Sequence, residues 1–338
     1  MNRENLWTMW PITRPKRALS LVGGTNSLIE GVETADGQMF VLRIVPDITQ
    51  ISRLHYEAAL LKALSNQSLP FLLPVPLKAN NGDTVVSFQQ EDGTSALATL
   101  CPLLPGRLTD RDDHIISRTT SAGSALALLD HALASLPEIE MPATFRPLPK
   151  FGDLTLWHPL VPSPLGAIEQ LPISYEQRRQ IQTFLLEVME SVADLYKRLP
   201  QQLLHRDYDS SNILMDGERI TAILDFEFAG RDIRILDLCV SISWWPVTLF
   251  GTGREWDVID AFGKAYTTGY PLSEDELHAI PAVWRMRDAT SLVNRIGRYL
   301  AGQETETRIQ NRIEHSLWRE EWLSANRDTL LQHVLQWL

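Results

Sequence analysis

Cysteine is scarce in this chain: Cys101 and Cys239 are the two in 338 residues. Two cysteines allow no disulfide framework, and their separation matches no metal-ligand spacing. Both sit among apolar neighbours and are expected in the core. Long hydrophobic runs are missing as well. No uncharged apolar stretch reaches about 18 residues, so no membrane-spanning helix is expected. The start, MNRENLWTMWPITRPKR, is polar and basic with no apolar stretch, so no secretion leader is expected. Positive charge is in deficit: 31 Lys and Arg stand against 42 Asp and Glu, a formal net charge of −11. Contact with a nucleic-acid backbone needs a basic face, so nucleic acid is not an expected partner. An acidic surface weakly favours cationic small ligands. Internal repeats and low-complexity tracts are also missing. From these absences a soluble cytoplasmic protein is expected.

What is present begins with apolar content. At 44% hydrophobic, 338 residues can build one large domain or two lobes with separate cores. Residues 19–45 pattern as a hairpin: LSLVGGTNSLIEGVE leads to the turn Ala35-Asp36-Gly37 and then to the β-rich run MFVLRIV. In ISRLHYEAALLKALS, Leu54, Ala58, Leu61 and Leu64 recur at helical spacing. LLPVPLKANNGDTVVSF is expected as loop, strand, turn and strand, and ALATLCPLL as another strand ended by Pro105-Gly106. The first 105 residues therefore predict a small α+β lobe. Residues 112–134 predict a helix, 141–173 a long proline-rich irregular insertion, and 174–200 a helix opened by a Ser174/Gln177 capping box. Beyond residue 234 the chain patterns as helices, with breaks at Gly251–Gly253, Gly269–Pro271 and Ala301–Thr305. The expected domains are 1–105 and 106–338, hinged at 100–106.

The densest chemistry lies in LLHRDYDSSNILMDGERITAILDFEFAG, residues 203–230. His205-Arg206-Asp207 is followed five residues after the Asp by Asn212, and 13 residues later by Asp225 at the end of a strand. A loop Asp can accept a hydrogen bond from a substrate hydroxyl. An Asn and an Asp brought together by a hairpin offer hard oxygens suited to Mg²⁺, which takes its other ligands from water and phosphates. Phosphoryl transfer asks for little more, because positioning and charge neutralisation carry most of it. Polar residues do gather in turns, and Asp209, Ser210 and Ser211 read as one. The ordered set matches the H-R-D-x-x-x-x-N loop and strand-end Asp of kinases.

LLHRDYDSSNILM, ILDFEFAGRDIRILDL and GGTNSLIEGVETADGQMFVLRIV closely resemble the aminoglycoside phosphotransferase, choline kinase and homoserine kinase group, small-molecule kinases of protein-kinase-like fold. The resemblance spans roughly residues 20–270. It implies a two-lobe α+β fold with a small antiparallel N-lobe and a larger helical C-lobe. It makes Asp207 the residue that positions the acceptor hydroxyl, and Asn212 and Asp225 the holders of Mg²⁺. It casts His205, Arg206 and Asp237 as braces of the loop. "DFE" followed by an aromatic, Ala and Gly is closer to this group than the DFG of protein kinases, and no A-P-E segment follows. Glu227 is open between a metal-facing and a solvated role.

On the nucleotide side, the Gly23-Gly24-Thr25-Asn26 turn would let backbone N–H groups approach phosphates. The group usually carries Lys on the next strand; here the position holds Arg43, which keeps the charge but differs in shape. Glu57 is placed to pair with it. Leu100–Leu104, with Cys101 and Leu103, would offer backbone groups to the purine of ATP. For the acceptor, Trp244, Trp245, Trp256 and Trp284 could wall an ammonium, and Asp257, Asp260, Glu274, Asp275 and Glu276 could bind an amino group. Core packing and a solvated helix face are the plainer readings. The expectation is an ATP- and Mg²⁺-dependent kinase of a small, amine-bearing molecule. The alternative is a nucleotide-binding pseudokinase, which the Arg43 departure favours.

Overall fold

A computed structural model of the chain describes residues 6–21, 27–109, 115–142 and 145–338. In chain order its strands are β1 (Pro15–Leu19), β2 (Leu28–Thr34), β3 (Met39–Val45), β4 (Val86–Gln89), β5 (Ser95–Pro102), β6 (Arg107–Leu108), β7 (Gln201–Leu204), β8 (Ile213–Asp216), β9 (Arg219–Ile223) and β10 (Gly230–Ile233). Its helices are α1 (Ile51–Leu64), α2 (Ile116–Ser135), α3 (Pro164–Ile168), α4 (Tyr175–Arg198), α5 (Leu236–Trp244), α6 (Glu255–Gly269), α7 (Glu274–Leu300), α8 (Glu306–Ala325) and α9 (Arg327–Val334). Two compact units result. The first comprises Met1–Thr109, Ser135–Arg146 and Asn212–Glu227; the second comprises Asp110–Ala134, Pro147–Ser211 and Phe228–Leu338. The first unit therefore takes two later segments beyond a single cut near residue 105.

The first unit is built on an antiparallel sheet of order β1-β2-β3-β5-β4. Alternation along MFVLRIV sends Phe40, Leu42 and Ile44 into a core with Trp7, Trp10, Phe88 and Leu100. Each such side chain contributes roughly 1.5–3 kcal/mol by leaving water. The β2–β3 hairpin turns at Gly37, whose φ of 82° suits the residue without a Cβ. Helix α1 buries Leu54, Ala58, Leu61 and Leu64 as its spacing predicts. A second sheet, β6-β8-β9, completes the unit. Two expectations change here. The strand expected before Asn80 does not form: Pro74 and Pro76 supply no N–H, and the stretch makes an isolated bridge, Leu72 to Ala222, plus a 2.7 Å bond from the Leu77 N–H to the Leu100 carbonyl. Conversely, β1 forms from PKRAL, whose charges hide the strand; as an edge it tolerates Pro15.

The second unit is mainly helical. Helix α4 begins at the Ser174/Gln177 capping box and buries Ile181, Leu185, Val188 and Leu195. A second capping box, Ser273 with Glu276, opens α7. Gly123 of α2 lets α6 approach closely: a Cβ there would lie 2.4 Å from the Phe262 carbonyl. The segment 141–173 is packed more firmly than an irregular insertion suggests. It contains α3 and buries Phe151, Leu154, Val161, Ile168 and Leu171, because its prolines set turns around apolar anchors. β7 and β10 pair antiparallel, Leu204 opposite Gly230. Among the described residues no helix is long and apolar enough to cross a membrane.

Candidate active site

In the first unit, strand alternation puts Arg43 on the face opposite Phe40, Leu42 and Ile44. Its guanidinium donates through Nη1 to both oxygens of Glu57 at 3.0 Å, through Nη2 to Glu227 Oε2 at 2.5 Å and through Nε to Ser27 Oγ at 3.3 Å. Burial works against its charge, but Glu57, Glu227 and Asp225 together hold its pKa above the ordinary arginine range. Glu57 is therefore a buried ion-pair partner, and Glu227 is a half-buried one rather than a solvated turn residue. The Glu227 carbonyl also accepts from Arg53 Nε at 3.0 Å.

The β8–β9 hairpin turns at Gly217, and its register sets Ile213 opposite Ile223. The Leu224 N–H then reaches the Asn212 carbonyl at 2.8 Å, so Asp225 follows directly beside Asn212 in the ladder. Asp225 has φ 60°, a left-handed conformation that a non-glycine residue holds at a cost. An Asn carbonyl oxygen and a carboxylate at adjoining ladder positions fit Mg²⁺, whose remaining ligands come from phosphate and water. No group of three or more His, Cys, Asp or Glu able to hold a metal occurs among the described residues. A fully protein-built cage is thus not what these residues make. Thr221 Oγ1 donates to the Pro105 and Leu214 carbonyls at 2.6 and 3.0 Å, tying the 100–106 segment to this hairpin. There the Leu103 N–H is given to the Met39 carbonyl, and Cys101 pairs with Val41 across the sheet. The expected Gly23–Asn26 turn lies outside the described residues.

In the second unit the loop after β7 is braced from several sides. The Asp237 carboxylate accepts the backbone N–H of His205 at 2.8 Å and of Arg206 at 2.6 Å. Arg206 sits at φ 67°. Its fully buried guanidinium donates to the Phe228 carbonyl at 2.6 Å, the Pro149 carbonyl at 2.8 Å and Asp232 at 3.2 Å. The Asp207 N–H donates to His205 Nδ1 at 3.2 Å, which leaves the imidazole proton on Nε2. Tyr208, fully buried, anchors the next position through Ala122 and Ser241. Asp207 itself is half-buried. His205, Arg206 and Asp237 are thus tied to one another and to their neighbours around the loop. Asp209 caps Ser211 and is turn chemistry.

Behind Asp237 lies a residue that sequence reasoning missed. Asp130 of α2 is fully buried; one carboxyl oxygen accepts from Tyr266 at 2.8 Å and the other has no donor from the protein. Burial and then the Asp237 charge raise its pKa well above the carboxylate range, which favours the protonated acid. A lone acid within LALLDHAL was the available signal. The expected acceptor residues fare differently. Asp260 is taken by His333 and Trp337, Asp275 by Arg198 and Glu276 by Arg234, while Asp257 and Glu274 are exposed. Trp245 and Trp284 are core, and Trp256 stacks on His333. Three of the five acids are therefore engaged by partners within the protein, and the other two lie on the exposed helix face.

Comparison with known proteins now bears on this geometry. The phosphotransferase enzyme family model matches residues 31–277 of the 338. The chain belongs to the phosphotransferase enzyme family. It is 24% identical over 282 residues to a homoserine kinase of Zymomonas mobilis, covering 80% of this chain and 78% of that one. It is 28% identical over 142 residues to a homoserine kinase of Polaromonas naphthalenivorans. That match spans 43% of the relative, and a match to the homoserine kinase of Methylobacillus glycogenes spans 27% of it. Among solved structures, a microcompartment-associated aminopropanol kinase superposes with TM-score 0.73 at 17% identity, covering 96% of this chain and 97% of that one. An amicoumacin kinase in complex with AMP-PNP and Ca²⁺ gives 0.70 at 15% identity, covering 94% of each. The fold of this phosphotransferase family member is thus the α+β kinase-like fold its motifs imply, with a small antiparallel sheet and a helical lobe.

Proposed function

We propose that this phosphotransferase family member is an ATP- and Mg²⁺-dependent kinase that phosphorylates a hydroxyl of a small, amine-bearing molecule resembling homoserine, an aminoglycoside or choline. The braced Asp207 loop carries the reading: four bonds made by His205, Arg206, Asp207 and Asp237 hold the loop that bears one half-buried carboxylate. Asp207 orients the hydroxyl and accepts its proton as the oxygen bonds the γ-phosphorus and the bond to the β–γ bridging oxygen breaks, releasing ADP. Asn212 and Asp225 would hold Mg²⁺, which neutralises charge on the phosphates. Arg43, kept in place by Glu57, faces the phosphates, Gly23, Gly24, Thr25 and Asn26 cover them, and the Cys101–Leu103 backbone meets the purine. The test is ADP release from ATP and Mg²⁺ with homoserine, aminoglycosides, choline and amino alcohols. Asp207→Ala is expected to abolish release while leaving nucleotide affinity within about threefold; turnover by that variant would sink the assignment.

A second reading is a nucleotide-binding module without transfer. Arg43 favours it, since Ser27, Glu57 and Glu227 already engage all three of its nitrogens. Saturable ATP binding with no ADP release across the panel would select it.

A further inference from the structure

At the C-terminal end of α5, helices α7 and α8 enclose a cavity of about 40 Å³. Four arginines line it, Arg287, Arg295, Arg312 and Arg319, against one lining carboxylate, Asp288, while Arg295 is paired with buried Glu304 at 3.1 Å. That is a strongly basic spot in a chain of net charge −11. Two of the arginines are buried, Arg287 at 7% exposure and Arg319 at 6%. Arg319 is fully committed: it forks onto Asp288 at 2.9 and 3.1 Å and donates to the Ser243 carbonyl at 2.9 Å. Arg287 is not. Its Nη1 donates to Asp288 at 2.9 Å and its guanidinium lies over Trp244 at 5.0 Å. Its Nε and Nη2 have no acceptor among the described residues, and neither is sealed from solvent. Asp288 also accepts from Trp284 Nε1 at 3.1 Å, so one carboxylate serves three donors. Two buried guanidiniums share a single negative charge, and a buried excess charge is costly without a counter-ion. Burial, then Arg319 and Arg312, keep His315 on the rim neutral by lowering its pKa.

The cavity also communicates with the catalytic loop inside the same unit. Burial lowers the Arg287 pKa, and among the charges opposing that is Asp207. Helix α5 connects the two physically: Ser241 holds the Tyr208 carbonyl at 2.9 Å, and two residues on, Ser243 holds Arg319.

We infer that this arginine cavity binds a carboxylate of the acceptor, so that the molecule phosphorylated through Asp207 is a hydroxy acid rather than a purely cationic amine. The inference rests on the kinase reading and narrows it. A carboxylate matches the two donors Arg287 leaves open, since a guanidinium fork presents paired N–H groups to two oxygens. Space for about three waters suits a carboxylate and excludes a sugar ring. Aminoglycosides and choline would bring more positive charge to a site that already holds an excess.

The test compares L-homoserine and 4-hydroxybutanoate with 3-aminopropan-1-ol, which is homoserine without its carboxylate. Calorimetry with the full chain, Mg²⁺ and AMP-PNP is expected to show both hydroxy acids binding and the amino alcohol binding at least about 10-fold more weakly. Arg287→Gln is expected to cost hydroxy-acid affinity about 10- to 100-fold, the loss of a charge-assisted fork. Arg312→Gln, on the half-exposed rim, is expected to cost less and guards against a misfolded Arg287 variant, whose thermal midpoint is checked alongside. Equal affinity for homoserine and 3-aminopropan-1-ol, no binding of either acid, or a folded Arg287→Gln that binds as the parent does, overturns the inference. Arg287-dependent binding of homoserine without ADP release from ATP overturns the kinase reading instead and leaves the anion site standing.

Discussion

Glu227 holds Arg43 at 2.5 Å across 184 residues of sequence, and Glu57 holds the same guanidinium from the other side at 3.0 Å. A lysine ammonium offers its three donors from one point, whereas the guanidinium spreads separate nitrogens to Ser27, Glu57 and Glu227. Arginine here is therefore a structural clasp within the first unit. Glu227→Gln is expected to lower unfolding free energy by about 1–3 kcal/mol, the range for a charged hydrogen bond lost from a partly buried arginine. Urea unfolding at neutral pH measures it. An unchanged midpoint would show that the clasp adds nothing to stability.

Asp225→Asn keeps the shape of the strand-end residue and removes its charge. Transfer activity is expected to fall about 10²-fold or more, with the Mg²⁺ concentration for half-maximal rate shifted upward. EDTA is expected to stop the parent enzyme and added Mg²⁺ to restore it. Full activity in EDTA would refute the role given to Asn212 and Asp225.

Gly230 lies where a Cβ would meet Arg206 Nη2 at 2.7 Å and Cζ at 3.0 Å. Arg206 is fully buried and bonded on three sides, so it cannot move aside. Gly230→Ala is expected to destabilise by about 1–3 kcal/mol through overpacking. It is also expected to reduce kcat more than it raises the KM for ATP, because Arg206 supports the Asp207 loop. Thermal melts and steady-state kinetics separate the two effects.

Asp130 supplies a pH signature. Its folded pKa is raised by burial and by Asp237, so the folded chain keeps a proton that the unfolded chain releases near pH 4. Stability from this group is full below that pH and is lost as pH rises toward the folded value. Asp130→Asn retains a donor for Asp237 and an acceptor for Tyr266 but does not titrate. Its unfolding free energy is expected to fall less between about pH 5 and pH 9 than the parent's. Parallel slopes in urea titrations would rule out the shared proton.

Much was legible locally. The 3.6-residue spacing of α1 and α4, the Ser174/Gln177 box and the alternation in MFVLRIV depend on neighbours in sequence, and each formed where expected. The strand expected before Asn80 failed for an equally local reason, its two prolines. β1 escaped notice because an edge strand can be built from charged residues when one neighbour completes its ladder. The plainer reading of Asp257, Asp260, Glu274, Asp275 and Glu276 as a solvated helix face holds for Asp257 and Glu274, while Asp260, Asp275 and Glu276 are paired with Arg198, Arg234, His333 and Trp337 from remote parts of the chain.

The sequence by itself determined the order of the candidate residues: His205, Asp207, Asn212 and Asp225 lie within one hairpin-bearing segment, where spacing sets which follows which. Periodicities within each segment predicted a small α+β lobe followed by helices, and the kinase-like class of fold was implied by the resemblance of its motifs. Only the tertiary structure decided which charges are neutralised and which are left over. Arg43 found Glu227, Asp130 found Asp237, and Arg287 was left with two open donors beside an already shared Asp288. Burial and pairing depend on side chains brought together from remote parts of the chain, and no linear pattern records which of them meet.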